Sequence, residues 1–264
     1  MVERAGTQPG TATGAAPHAS PRAGGAQAVS NAPEYLRVSD LHAFYGESHI
    51  LHGVDFSVRK GEVVTLLGRN GAGRTTTLKA ILGLTGKRTG SILIDGKEAI
   101  RMSPHRIARL GIGYCPEERG IFSSLSCEEN LMLPPRVSPG GMEVDEIYAM
   151  FPNLKERRGS QGTRLSGGEQ QMLAVARILR TGARMLLLDE ISEGLAPVIV
   201  QALDRMIREL KQKGFTIIMV EQNFRFAAPL ADRFYVMEHG RIVEGFAASE
   251  LDAKMGLLHE YLGI

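Results

Sequence analysis

From Tyr35 onward the chain is a series of short apolar runs broken by glycine. Runs of this length, bounded by turn residues, read as strands: Tyr35–Leu41, Val54–Val58, Val63–Leu67, Ser91–Ile94 and Gly111–Tyr114. A helical pattern opens at Thr75 and continues through Leu84. After Tyr114 the pattern is mixed and helical to about Leu165, with Pro134, Pro135, Pro139 and Gly140 marking a loop inside it. Helix and strand then alternate: helix Gly168–Arg180, strand Met185–Leu188, helix Pro197–Lys211, strand Phe215–Val220, helix Phe224–Leu230, strand Arg233–Glu238. The final stretch, Ser249–Leu262, reads as an amphipathic helix, and no internal repeat is visible. The later strands are apolar without alternation, which indicates a parallel sheet covered on both faces. The expected fold is therefore α/β, with a helical subdomain of about residues 118–166 inserted into it.

Composition narrows this picture. With 264 residues, 43% hydrophobic and 23% charged, the chain has the size and make-up of one large soluble domain, or a domain plus a subdomain. A net charge of +2, spread evenly, gives no reason to expect nucleic-acid binding. No apolar stretch approaches the roughly 20 residues a membrane-spanning helix needs. Residues 1–33 are rich in Ala, Gly, Pro, Ser and Thr and poor in Leu, Ile and aromatics, so they read as a disordered tail ahead of a domain at 34–264. The tail has no continuous apolar segment of the kind a secretory signal carries. Cys115 and Cys127 are the only cysteines, and they read as two buried, reduced thiols.

The candidate chemistry starts at GRNGAGRT, Gly68–Thr75, between the strand Val63–Leu67 and a helix. Strand, glycine-rich loop and helix is the context of a phosphate loop. Glycines let successive backbone N–H groups curl inward on phosphate oxygens, and the new helix adds its positive end. Thr75 supplies a hydroxyl for Mg²⁺, and Arg74 stands where a lysine is expected. Arginine keeps the charge but is a planar fork rather than a compact ammonium. Gly68, Asn70, Gly71, Ala72, Gly73, Arg74, Thr75 and Thr76 are the candidate nucleotide contacts. A glycine-rich turn with no ligand would look similar in isolation.

Two further segments bear on that alternative. MLLLDE, Met185–Glu190, is an apolar strand ending in two carboxylates. Asp189 at the strand tip can hold Mg²⁺, and Glu190 can polarise an attacking water as general base. A solvated strand end could also finish in Asp-Glu. LSGGEQQ, Leu165–Gln171, decides between them. Ser166 and Glu169 form a capping box. Capping leaves Gly167 and Gly168 unexplained, whereas paired glycines at a helix N-terminus make an anion site. Since the chain already has one phosphate loop, this second site serves the γ-phosphate of ATP held by a partner subunit in a head-to-tail dimer.

Together these segments resemble the ATP-binding cassette family, across essentially all of Tyr35–Ile264, with the family's motifs in their usual order. The strings HAFYGESHILHGVDFSV, LLGRNGAG, GIGYCPEERGIF, EENLML, DEISEGLAP and VEQN are similar to the LivF-like branched-chain amino acid importer subgroup. The resemblance implies a P-loop NTPase-type, mostly parallel sheet flanked by helices, with an antiparallel N-terminal β subdomain. It implies that Tyr45 stacks on adenine, and that Glu117, in the position of the Q-loop glutamine, joins Thr75 and Asp189 at the metal. Gln222 occupies the place of the switch histidine, as in the subgroup, and Ile191 replaces the proline usual after the carboxylate pair. The implied partners are a second cassette subunit (a paralogue or another copy), transmembrane permeases and, indirectly, a periplasmic solute-binding protein. The implied place is the cytoplasmic face of the inner membrane. Two alternatives remain open: a subunit that binds ATP but barely hydrolyses it, and an importer of urea, amides or another small solute.

Overall fold

The computed structural model describes residues 32–263. Residues 1–31, nearly all of the expected tail, lie outside the described residues.

Two sheets form. β1 (Glu34–Tyr45) and β2 (Ser48–Arg59) make a long hairpin, joined by β4 (Lys87–Ile94) and β5 (Lys97–Glu98) in the antiparallel order β2-β1-β4-β5. The second sheet has the order β10-β9-β3-β8-β7-β6. Here β3 (Val63–Leu67), β6 (Ile112–Cys115), β7 (Met185–Asp189), β8 (Thr216–Val220) and β9 (Arg233–Glu238) run parallel, and β10 (Arg241–Ala247) closes one edge antiparallel.

The uninterrupted apolar strands lie at the centre. Every residue of β3, β7 and β8 is buried, and alternate side chains serve opposite layers. Val64, Leu66, Met185, Leu187, Ile218 and Val220 face one core, built with the antiparallel sheet and the helix α1 (Arg74–Ile81). Val63, Leu186, Leu188, Ile217 and Met219 face the other, built from the long helices on the far side. Those are α6 (Gly167–Arg180) and α7 (Pro197–Gln212). The short helices α3 (Cys127–Met132), α4 (Val144–Met150) and α5 (Pro152–Glu156) share this core through Leu131, Ile147 and Leu154. Both cysteines are buried and free of disulfides. Arg88 closes the end of α1: its guanidinium donates to the carbonyls of Ala80, Ile81, Ala99 and Met102.

The structure differs from the sequence reading in that α1 ends at Ile81 rather than Leu84 and β4 begins at Lys87 rather than Ser91, and the larger differences are these. β1 and β2 extend to 12 residues each, far past the expected strands. β10, β5 and the short helix α2 (Pro104–Ala108) are additional. The helix expected at Phe224–Leu230 is a single turn, α8 (Phe224–Ala227). The terminal helix α9 starts at Leu251, after a 3₁₀ turn at Ala248–Glu250. Among the described residues no helix is long and apolar enough to cross a membrane.

Candidate functional site

The loop between β3 and α1 is shaped by glycines that other residues could not replace. Gly73 has φ 102°, and a Cβ there would sit 2.9 Å from Leu51 Cδ2. Gly71 has φ 79°, in the left-handed region where side chains are costly. Ala72 N–H closes the turn on the Arg69 carbonyl at 3.0 Å, and Thr77 N–H begins the helix on the Gly73 carbonyl at 2.9 Å. Residues Asn70 through Thr76 line a cleft of about 460 Å³, and Glu117, Glu190, Glu193 and Gln222 complete its walls. A roomier groove of about 740 Å³ lies between α7 and α8, lined by Leu195, Pro197, Val200 and Phe226 among others, but it has no phosphate loop.

Inside the cleft Arg74 is turned onto carboxylate and carbonyl oxygens. Its Nη2 donates to Glu190 Oε1 at 2.7 Å and its Nη1 to the Glu221 carbonyl at 3.0 Å, with both Arg74 and Glu190 buried. Gln222 Nε2 donates to the other Glu190 oxygen at 2.9 Å. Burial governs both charges: it lowers the pKa of the guanidinium and raises that of the Glu190 carboxyl. A hydrogen bond with Glu193 adds to the rise at Glu190, while Arg74 and Gln222 oppose it. Glu190 also sits at φ 49°. This conformation costs a side-chain-bearing residue on the order of 1 kcal/mol, and its N–H is held there by the Val220 carbonyl at 2.8 Å. Strain of this kind turns the carboxylate out of β7 and into the cleft.

Asp189 remains buried at the strand end. Its two oxygens accept from Thr75 Oγ1 and Tyr114 OH, each at 2.9 Å. Burial raises its pKa, and these two hydrogen bonds resist the rise. The chemistry suits a divalent cation: a hydroxyl and a carboxylate oxygen, hard ligands, meet at the mouth of the phosphate loop. Glu117 is exposed and lines the same cleft as Thr75, and carboxylate oxygens of Glu117, Glu190 and Glu193 all lie within 4.8 Å of one another.

Not every candidate lies in this cleft. Tyr45 ends β1 and is 43% exposed, beyond the cleft lining. Ser166, Gly167 and Gly168 stand at the start of α6, also outside it. Ser166 Oγ accepts from Glu169 N–H at 3.3 Å, and Ser166 N–H donates to Glu169 Oε2 at 2.7 Å, closing the capping box. Ser166 is exposed, so this helix end faces outward.

Several participants are not singled out by the sequence. Tyr114 holds Asp189 from the neighbouring strand β6. Glu221 is fully buried and grips the loop after Glu190: Ser192 N–H donates to Oε1 at 3.1 Å and Ser192 Oγ to Oε2 at 2.8 Å. Burial pushes the Glu221 pKa up to about 7, against these two hydrogen bonds. Arg119 lies against Gly167 and donates from Nη1 to Gln170 Oε1 at 3.2 Å, which ties the Glu117 loop to the first turn of α6. Glu221 stands inside the VEQN string and Arg119 inside GIGYCPEERGIF, so the motifs were visible but their internal bonds were not.

A family model described as "ABC transporter" matches residues 51–193. The high-affinity branched-chain amino acid transport ATP-binding protein BraG of Pseudomonas aeruginosa is 40% identical over 237 residues, covering 86% of this chain and 99% of its own. The probable branched-chain amino acid transport ATP-binding protein LivF of Archaeoglobus fulgidus is 36% identical over 220 residues, covering 82% and 93%. Among solved structures, a nucleotide-free ATP-binding cassette from an ABC transporter superposes with a TM-score of 0.75 at 24% identity, covering 85% of this chain and 96% of that one. At that identity the likeness speaks for the fold.

Proposed function

We propose, from the premise that the chain belongs to the ABC transporter family of ATP-hydrolysing cassettes, that it drives import of branched-chain amino acids. One observation carries the ATPase chemistry: the phosphate loop and the Glu190 carboxylate face each other across one cleft, while the Ser-Gly-Gly helix end presents Ser166 at the surface, where a second cassette can meet it. The solute rests on the likeness to BraG, which extends over nearly that protein's whole length.

In this reading the loop Gly68–Thr76 holds the phosphates of ATP and Tyr45 stacks on adenine. Thr75 and Asp189 would hold Mg²⁺, which supplies positive charge to the phosphate oxygens when bound. Phosphate entry draws the Arg74 guanidinium off Glu190, and the released carboxylate takes the proton of the attacking water. Gln222 keeps Glu190 aimed and, as an amide, carries no charge of its own. Ser166, Gly167 and Gly168 of the partner cassette close over the γ-phosphate. ATP thereby favours the closed pair through differential binding, the requirement for any ligand-driven shift. The partners are a second cassette, transmembrane permeases at the cytoplasmic face of the membrane, and a periplasmic solute-binding protein. The permease contact falls on the block 118–166, where Phe122, Met132 and Leu133 are exposed.

The solute reading is tested by deleting the gene and following uptake of radiolabelled leucine, isoleucine and valine. The expected result is loss of uptake, restored by the intact gene. Normal leucine uptake with loss of urea or amide uptake would overturn the solute assignment and leave the ATPase intact.

Arg74 provides a second test, on the purified protein. Charge-assisted hydrogen bonds to phosphate are worth roughly 1.5–3 kcal/mol each, so Arg74→Ala should weaken ATP binding about tenfold or more. Arg74→Lys is expected to equal or exceed the parent's turnover, because a single ammonium cannot span the Glu190 carboxylate and the Glu221 carbonyl as the guanidinium does. Nucleotide affinity and ATPase rate, measured in one buffer, decide. An alanine variant that binds and turns over like the parent removes Arg74 from the phosphate site. A lysine variant that loses activity shows a pocket adapted to arginine.

A further inference from the structure

A second cluster of reactive side chains lies on the β1–β2 hairpin. Leu41, Ala43 and Leu51 point into the core, while the opposite face carries Asp40, His42, Phe44, His49 and His52 toward solvent. His42 and His52 are direct partners across the two strands, and Phe44 is the partner of His49. Two irregularities in β2 gather the histidines: the pairing skips Ile50 between His49 and Leu51, and skips Gly53 between His52 and Val54. An extra residue on one strand re-aims the side chains around it, and such bulges concentrate at functional positions. Without the first of them, His49 and His52 would stand on opposite faces.

The contacts are specific. His42 Nδ1 lies 3.0 Å from His49 Nε2, and His42 Nε2 lies 3.1 Å from Asp40 Oδ1. The His49 ring stacks on Phe44 at 4.2 Å between centroids, and the His52 ring lies tilted against it at 4.1 Å. Asp40 is held at φ 47° with its N–H on Asp55 Oδ1 at 2.9 Å, and Gly53 leaves room for its carboxylate, which a Cβ there would meet at 3.0 Å. The chain thus accepts a strained residue to keep a carboxylate on His42.

We propose that His42 and His49, joined by His52, form a binding site for a nitrogen-preferring divalent transition-metal ion such as Ni²⁺ or Zn²⁺. Two imidazole nitrogens bound at 2.0–2.1 Å to one such ion stand about 2.9–3.4 Å apart, and the pair here is at 3.0 Å. Asp40 accepts the Nε2 proton of His42, which leaves the Nδ1 lone pair facing His49; a carboxylate behind a ligating imidazole fixes tautomer and orientation in this way. In the metal-free hairpin His49 donates its Nε2 proton to that lone pair. On binding, the His49 proton moves to Nδ1 and both lone pairs turn to the ion, so no net proton is lost. In the metal-free hairpin the nitrogens of all three rings do not lie within 4.8 Å of one another, so the ion has to draw in the half-buried His52 ring, now packed on His49, as its third imidazole. Lys87, over the Phe44 ring, and Arg241, near His52, are the cations that oppose the charge of the ion. The ion would clamp the two strands next to Tyr45.

The test is calorimetric titration of the full-length, tag-free chain with NiCl₂ and with ZnCl₂. One site with a dissociation constant below about 100 µM is expected. His42→Ala and His49→Ala should each weaken it tenfold or more, and Asp40→Asn by about tenfold, the usual cost of losing the partner behind a ligand. These side chains lie on the solvent face, so unchanged thermal unfolding of each variant without metal shows that the fold is intact. Absence of binding by the parent overturns the proposal. Binding that is equally tight in both histidine variants places the ion elsewhere, for example on Glu117, Glu190 and Glu193, and overturns it as well.

Discussion

Glu190→Gln leaves ATP binding near the parent's and lowers turnover by roughly 100-fold or more, the usual worth of general-base assistance. The substitution is nearly isosteric in a buried position. Its carbonyl oxygen can still accept from Arg74, and Gln222 can flip its amide to pair with the new NH₂ group. The fold and the phosphate loop therefore persist, and what disappears is the capacity to take a proton from water. With chemistry blocked and binding retained, ATP should accumulate a closed dimer visible by size-exclusion chromatography. Two other carboxylates, Glu117 and Glu193, approach within 4.8 Å and could serve as base in its absence. Glu193→Gln and Glu117→Gln, expected to change turnover less than about tenfold, are the necessary comparisons. Turnover of Glu190→Gln within a few-fold of the parent removes Glu190 from the role.

The parts of this arrangement that sequence could reveal are those whose signal is local. Strands β3, β7 and β8 are buried on both faces, so each reads as an unbroken apolar run, and their ends locate Gly68, Asp189 and Gln222. The turn end of the hairpin, beyond Leu41 and before Val54, escaped because its strands are half-solvated there: His42, Phe44, Ser48 and His49 fill outward positions, and two register shifts break the alternation that would have marked them. β10 alternates too, at a sheet edge, with Arg241, Val243 and Gly245 as its exposed positions. Within the site, the glycine loop was legible because its chemistry is contiguous. The ion pair between Arg74 and Glu190 was not, since 116 positions separate the partners and spacing along a chain carries no distance across it. Sequence led us to aim Arg74 at phosphate. The structure adds that the same guanidinium is bonded to Glu190, so in the proposed mechanism nucleotide binding and release of that carboxylate become one event.

Gly167→Asp tests the composite site. The two glycines of the signature differ in surroundings. A Cβ on Gly168 would fall 2.7 Å from Ile199 Cγ1, so a side chain there disturbs the packing of α6 on α7. A Cβ on Gly167 meets only the Arg119 guanidinium, at 3.4 Å to Nη2, an ordinary contact. Aspartate therefore fits at 167, and carboxylates are favourable in the first turn of a helix. Folding and single-subunit ATP binding should stay near normal. In the assembled pair the new carboxylate occupies the ground proposed for the partner's γ-phosphate, where it repels the anion and engages the Arg119 charge. Loss of one set of anion-stabilising donors typically costs about 100-fold or more in rate, so ATPase of the complex is expected to fall by at least that factor. Gly167→Ala, which adds bulk without charge, should retain most of the activity and so separates repulsion from crowding. Normal ATPase by the aspartate variant, in a complex shown to assemble, would mean that the γ-phosphate never meets this helix end, and that each chain hydrolyses ATP with its own residues alone.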